Sequence, residues 1–144
     1  MEYPSHTLTE LGATNLAQIL EASPNEIYIC NLETIEIQYA NPKARNNLGY
    51  SLEELQNISP PYFVPNLTLQ KLRNLLTPLI ITEKTQINLE TFHYRSDGST
   101  YPVEVYLQLL EKDNLTLLVA NVIDLSDSKK IEASLQEKIL QLEG

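Results

Sequence analysis

The sequence predicts a single α+β domain, in which a five-stranded antiparallel sheet carries short helices on one face. Segments typical of strands form a group of two and a group of three within residues 26–125. Between these groups, residues 42–80 contain helix-capping residues and an apolar repeat of three and four. We therefore divide the chain into an N-terminal capping helix (1–22), a core (23–125) and a C-terminal linker helix (126–144).

The first predicted helix covers residues 7–22. Its apolar residues form one broad stripe, which consists of Leu8, Leu11, Leu16, Ile19 and Leu20. It ends at Ser23, because the residue before a proline, here Pro24, avoids the helical region. The residues expected to form a cap over the sheet and a dimer interface are Leu11, Leu16, Ile19 and Leu20.

The first two strands are predicted at EIYICN (26–31) and IEIQYA (35–40). The isoleucines of the first strand alternate with Tyr28 and Cys30, which therefore share the other face of that strand. The short connection between the two strands is typical of an antiparallel hairpin.

Three helices are predicted after this hairpin. An asparagine–proline pair at 41–42 opens the first, which ends at Gly49. Ser51 and Glu54 form a capping box that starts the second. The third is the segment TLQKLRNLLTPLI, in which we expect Pro78 to bend the helix or end it early.

The last three strands are predicted at TQINLETFHYR, STYPVEVYLQLLE and LTLLVANVIDL. A tight hairpin turn joins the first two of these strands, and Asp97 and Gly98 supply the positive φ that this turn needs. The period of two places His93 on the inner face, together with Val103, Val105, Leu107 and Leu109. We assign to the outer face Phe92, Tyr94, Tyr101, Tyr106 and Leu110.

A final helix follows Asp124 closely, with Ser126 or Asp127 as its cap. Its apolar stripe consists of Ile131, Leu135, Ile139 and Leu142. This stripe is suited to the start of a coiled coil, which favours a homodimer.

Composition and charge exclude several classes of function. The 144-residue chain has a net charge of −9, which argues against binding to nucleic acid or anionic lipid. Its single cysteine, Cys30, excludes an intrachain disulfide. No apolar run approaches the roughly 18 residues of a membrane span, and the N-terminus lacks the pattern of a secretory signal. We therefore expect a cytoplasmic domain without membrane insertion.

Four motifs in order along the chain resemble the successive landmarks of a PAS domain. They are NLETIEIQYANPKA, GYSLEEL, YRSDGSTYPVEV and VIDLSDSKKIEASL. The last motif is similar to the signature that links such domains to a signalling helix. This resemblance assigns signal coupling to Asp124, Leu125 and Ser126. The resemblance spans about residues 16–136 and implies a PAS-like fold.

PAS domains are sensory and dimerisation modules of signal-transduction proteins such as histidine kinases and cyclic-dinucleotide enzymes. The resemblance implies a two-component-type sensor that forms a homodimer and passes ligand- or partner-induced changes through its C-terminal helix to an output domain. That output domain lies on the same chain or on a partner chain. Two alternatives stay open: a sensor with a small-molecule pocket between sheet and helices, and a purely structural homodimerisation domain.

The pocket alternative assigns ligand binding to one set of inward residues, namely Thr91, His93, Val103, Val105, Leu118, Ala120 and Val122. His93 has two interpretations. It can hydrogen-bond a ligand, or a backbone carbonyl or Tyr62 can satisfy it at the edge of the sheet.

The sequence argues against haem and against cysteinyl-flavin chemistry. The resemblance implies that a haem ligand would come from the helical segment, but residues 42–82 contain no His, Cys or Met. The reactive cysteine of light-sensing relatives follows the G-Y-S helix, where residues 56–60 have no thiol. Cys30 is interpreted as a small buried hydrophobe. We predict no metal and no cofactor, with an unidentified small molecule as the alternative.

The chain is not expected to be an enzyme. It lacks G-x-S-x-G, C-x-x-C and H-E-x-x-H motifs, a phosphate-binding glycine loop and the context of a phosphoacceptor histidine. Any catalytic output, such as a histidine kinase or a diguanylate cyclase, is therefore expected outside this chain.

Overall fold

The computed structural model describes residues 17–143 as an antiparallel sheet with helices against its inner face. The strands are β1 (Glu26–Asn31), β2 (Ile37–Ala40), β3 (Ile87–Tyr94), β4 (Thr100–Lys112) and β5 (Leu115–Asp124). The helices are α1 (residues 17–22), α2 (Pro42–Leu48), α3 (Leu52–Leu55), α4 (Leu69–Ile80) and α5 (Ser126–Glu143), and a short 3-10 turn covers Pro60–Tyr62. The predicted α+β class with five antiparallel strands is confirmed.

The strand order is β2-β1-β5-β4-β3, and each neighbouring pair is antiparallel. The two groups of strands predicted from the sequence meet between β1 and β5, where Tyr28 lies opposite Ala120. The β3–β4 turn contains Gly98 at a φ of 88°, the left-handed conformation predicted for this position. The first and last strands of the core are therefore neighbours at the centre of the sheet.

The predicted caps start the middle helices. The side chain of Asn41 caps α2, and Ser51 and Glu54 form the capping box of α3. Pro78 lies inside α4, which continues to Ile80, so it does not end the helix early, and a bend at this position stays a prediction. A proline in the last turn removes only one intrahelical hydrogen bond, so the helix tolerates it there.

Asn41 also joins the end of α1 to the core. This buried side chain accepts a hydrogen bond from the N–H of Ile27 at 3.0 Å. Its amide group donates to the carbonyls of Leu20 at 3.0 Å and Asn25 at 2.9 Å. One side chain therefore fixes the relative positions of α1, β1 and α2.

The predicted cap and dimer interface lies only partly within the described residues. Leu11 and Leu16 lie outside them, Ile19 is exposed and Leu20 is half-buried. On the outer face of the sheet, Phe92, Tyr94 and Leu110 are all exposed. The described part of α1 therefore does not cover these three side chains.

The core lies between the inner face of the sheet and the middle helices. His93 and Val103 point inward, as predicted. Tyr101 also points inward and is only 2% exposed, so its assignment to the outer face is wrong. Because residues two apart along a strand share a face, Tyr101 follows Val103 and Val105 into the core.

One residue, Leu125, separates β5 from α5. Its N–H donates to the carbonyl of Pro102 at 2.9 Å, and Lys129 pairs with Glu90 at 3.6 Å, so the first turn of α5 contacts the sheet. Farther along α5, the exposed apolar residues are Ile131, Leu135, Ile139, Leu140 and Leu142. Within residues 17–143, no helix combines the length and the apolar character that a bilayer crossing needs.

Candidate functional site

A cavity of about 180 Å³ lies between the inner face of the sheet and the segment from Pro60 to α4. Side chains of all five strands form one wall of the cavity. The opposite wall consists mainly of Phe63, Val64, Pro65, Leu67, Leu72 and Leu75. Among the described residues, no Asp, Glu, Lys or Arg lines the cavity, so its wall is largely apolar.

Six of the seven predicted pocket residues line this cavity: Thr91, His93, Val105, Leu118, Ala120 and Val122. Val103 does not, although it is fully buried. It lies opposite Asp124 in the register of β4 and β5, at the end of the sheet where α5 begins. The structure thus brings the six side chains together, and ligand binding by them stays a prediction.

His93 is 4% exposed, and its imidazole has three aromatic neighbours in edge-to-face orientation. The distances from its ring centroid are 5.2 Å to Phe63, 5.9 Å to Tyr101 and 6.2 Å to Tyr28. Burial lowers the pKa of His93 to about 4, so the imidazole is neutral at pH 7.

Among residues 17–143, Nδ1 of His93 is the one fully buried side-chain nitrogen or oxygen without a hydrogen-bond partner. Neither a backbone carbonyl nor Tyr62 satisfies it, and the side chain of Tyr62 is exposed and packs against Tyr50 instead. A buried polar atom without a partner destabilises the fold, so this atom is a natural place for a ligand contact.

Cys30 also lines the cavity and is buried, which agrees with its interpretation as a small hydrophobe. Burial raises the pKa of its thiol to about 12, so the sulfur stays protonated and a poor nucleophile at neutral pH. Among the described residues, no group of three His, Cys, Asp or Glu side chains is placed to hold a metal ion.

Next to the cavity, Glu26 is a carboxylate with only 1% of its surface exposed. It accepts hydrogen bonds from the hydroxyl of Tyr28, from the hydroxyl of Tyr101 at 2.9 Å, and from the amide of Asn47 at 2.9 Å. Burial raises the pKa of Glu26 above its usual value, although the three hydrogen bonds lower it. The charged form is therefore costly in the fold, and these donors offset part of that cost.

The same amide nitrogen of Asn47 also donates to Oδ2 of Asp124 at 3.2 Å. Oδ1 of Asp124 accepts from the N–H of Ser126 at 2.9 Å and from its hydroxyl at 2.6 Å. Arg95 supports the cluster, because its guanidinium donates to the carbonyl of Asn47 at 2.7 Å and lies 4.2 Å from the ring centroid of Tyr101. Hydrogen bonds therefore run from Tyr28 in the cavity wall to the first residue of α5.

The sequence profile of the PAS domain family matches residues 24–127, which is most of the chain. The chain belongs to the PAS domain family. A search of curated proteins finds no match for it.

Solved structures of PAS domains share this fold. The PAS domain of the HTR-like protein from Haloarcula marismortui is 22% identical, with a TM-score of 0.70 over 83% of this chain and 96% of that one. A PAS domain from a two-component sensor histidine kinase is 16% identical, with a TM-score of 0.67 over 81% and 98%. The PAS domain of nitrogen regulation protein NR(II) from Vibrio parahaemolyticus is 20% identical, with a TM-score of 0.62 over 76% and 96%. At these identities the likeness shows the fold alone.

In this PAS domain, the predicted signal-coupling residues Asp124 and Ser126 belong to the hydrogen-bonded cluster around Glu26. The sequence did not predict that Glu26, Asn47 and Tyr101 belong to the same cluster. One signal for Glu26 was present, because the period of two along β1 places it on the same face as the inward Tyr28. An acidic residue on a buried face needs donors from elsewhere in the fold. Those donors come from α2 and β4, and local patterns do not show that these elements meet.

Proposed function

We propose that this PAS domain is the sensory module of a signal-transduction protein, and that a change of packing in its cavity alters the start of α5 and thereby an output domain. One observation carries the proposal: the hydrogen bonds that connect Tyr28 in the cavity wall with Ser126 in α5. Known PAS domains of sensor histidine kinases with the same fold support the sensory assignment. The catalytic output, in this proposal, lies outside the chain.

The first half of the connection links the cavity to Glu26. Tyr28 lines the cavity, and its ring stacks on that of Phe63 at 5.7 Å between centroids. A molecule that moves Phe63 or Tyr28 moves the hydroxyl that donates to Glu26. Because Glu26 is buried, the loss of a donor is not compensated by water.

The second half links Glu26 to α5 through one side chain. The Asn47 amide donates to both Glu26 and Asp124, so a shift of Glu26 changes how Asn47 holds Asp124. Asp124 in turn accepts from the first N–H of α5, a group that has no partner within the helix. Two discrete arrangements of this cluster would give α5 two orientations, as a signalling switch requires.

A double-mutant cycle tests the connection. Tyr28→Phe removes the hydroxyl and is expected to accelerate amide hydrogen exchange in the first turn of α5 about two- to five-fold. Asp124→Ala removes the acceptor for Ser126 and is expected to accelerate this exchange about ten-fold, which corresponds to a lost cap of about 1.4 kcal/mol. With Asp124→Ala in place, Tyr28→Phe is expected to have no further effect on α5.

Asp127→Ala is the matched control, since Asp127 is an exposed carboxylate in the same turn that takes no part in the cluster. In that background, Tyr28→Phe should retain its full effect on α5. The proposal fails if the effects of Tyr28→Phe and Asp124→Ala on α5 exchange simply multiply, because independent sites have additive free energies.

A second candidate function is homodimerisation through α5. The observation that favours it is the run of exposed apolar side chains on this helix, of which Leu135 is 56% and Ile131 62% exposed. Burial of such a stripe against a second copy would remove apolar surface from water. This function is compatible with sensing, because a dimer of linker helices can transmit a change of angle or register.

Leu135→Glu is expected to weaken dimerisation at least ten-fold, because it places a charge in the middle of the stripe. The measurement is sedimentation velocity over a range of protein concentrations. Ala133→Glu adds the same charge two residues away, on the opposite side of the helix, and should leave the dimer intact. A wild-type chain that sediments as a monomer at high concentration would contradict this function.

A further inference from the structure

We infer that the cavity of this PAS domain binds a small uncharged molecule that is apolar apart from one hydrogen-bonding group, and that this group contacts Nδ1 of His93. This inference rests on the proposed function, since it names the class of ligand that the sensory cavity takes. Three observations carry it: the volume of the cavity, the absence of charged side chains from its wall, and the unpaired Nδ1 atom.

The volume limits the ligand to about the size of one small ring. The cavity measures about 180 Å³. An engineered apolar cavity of about 150 Å³ in another protein binds benzene, whereas pockets for drug-sized ligands measure about 300–1,000 Å³. A single substituted six-membered ring therefore matches the space, and a flavin or a haem does not.

The composition of the cavity wall disfavours a charged ligand. In the part of the chain that the structure describes, no side chain of Asp, Glu, Lys or Arg lines the cavity, and the pKa of His93 is too low for an imidazolium at neutral pH. An anion or a cation would lose its hydration on entry without gaining a counter-charge. Alkyl and aromatic side chains such as Leu72, Phe63 and Val105 instead favour an apolar body.

The polar part of the ligand has one fully buried and unpaired partner, because among the other polar residues of the wall Asn66 is exposed and Thr91 is only half-buried. The hydroxyl of Tyr28 is already bound to Glu26, and the protonated thiol of Cys30 is a weak hydrogen-bonding group. Nδ1 of His93 is buried and unpaired, so a ligand group that bonds it removes an existing cost in the protein. A single water molecule is a poorer occupant, because buried waters make about three hydrogen bonds and this wall offers few partners.

Three probes of nearly equal size test the inference on the full 144-residue chain: phenol, toluene and benzoate. Binding is followed by NMR titration at pH 7. Phenol is expected to bind about five-fold more tightly than toluene, which lacks the hydroxyl, and at least ten-fold more tightly than benzoate, which is charged. The ¹⁵N shift of Nδ1 of His93 should respond to phenol and not to toluene.

His93→Phe retains an aromatic ring among Phe63, Tyr28 and Tyr101 but removes Nδ1. It is expected to abolish the preference for phenol over toluene. Tyr94→Phe, a control in the same strand whose exposed side chain lies outside the cavity, should retain that preference. If His93→Phe does not fold, the ¹⁵N shift in the wild-type protein still decides the question.

The inference is overturned if none of the probes saturates, if phenol and toluene bind equally, or if benzoate binds as tightly as phenol. A preference for phenol that survives in His93→Phe also overturns it. Its failure is distinguishable from failure of the proposed function. Phenol that binds as expected but leaves hydrogen exchange in α5 unchanged sustains the ligand class and contradicts the signalling connection.

Discussion

Replacement of Glu26 by alanine is expected to lower the free energy of unfolding by about 4 kcal/mol, a large fraction of the stability of a domain of this size. The variant leaves three donors without their acceptor: the buried hydroxyls of Tyr28 and Tyr101 and one N–H of the half-buried Asn47. Each unsatisfied donor costs about 1–3 kcal/mol. Removal of a carboxylate whose burial is itself unfavourable offsets part of this loss.

Urea unfolding followed by circular dichroism measures this loss. Glu26→Gln keeps the shape of the side chain and one acceptor oxygen for the tyrosines, but turns an N–H toward the amide of Asn47. Its effect should be less than half that of alanine. Glu36→Ala, at an exposed position near β2, should change stability by less than about 0.5 kcal/mol. A Glu26→Ala variant within 1 kcal/mol of the wild type would show that the cluster contributes little.

The elements that the sequence predicted well are those specified by neighbouring residues. The cap at Asn41, the capping box of Ser51 and Glu54, and the turn at Gly98 each depend on residues within a few positions of one another. The alternation along β4 and β5 depends only on the geometry of a strand. Six of the pocket residues followed from that alternation once the inner face had been recognised.

Apart from the face of Tyr101, which the alternation along β4 gives correctly, what the sequence did not predict depends on contacts between distant segments. Glu26 and Tyr101 are 75 residues apart, and Asn47 and Asp124 are 77 apart, so no local pattern connects them. Val103 lies outside the cavity for a related reason. Periodicity gives the face of a strand, whereas the position of a cavity along that face depends on where the middle helices pack.

The unpaired histidine and the buried glutamate make opposite contributions to the pH dependence of stability. The pKa of His93 is lowered from 6.5 to about 4 in the fold, so the unfolded chain binds more protons between these values. His93 therefore stabilises the fold above pH 6.5, and this contribution is lost as the pH falls toward 4. The pKa of Glu26 is raised from 4.5, so its contribution to stability is present below pH 4.5 and is lost as the pH rises through its folded value.

His93→Phe is therefore expected to make the protein less sensitive to acid. A lowering of the pKa from 6.5 to about 4 corresponds to about 3 kcal/mol of stability that the wild type loses between these pH values and the variant keeps. The measurement is the free energy of unfolding of both proteins at half-unit steps from pH 7 to pH 4. Glu26 and the exposed carboxylates are common to both proteins, so their contributions cancel in the difference. A difference that stays constant across this range would mean that the pKa of His93 is the same in the folded and the unfolded chain. Burial would then not keep the imidazole neutral, and the argument from its low pKa for a neutral ligand class would fail.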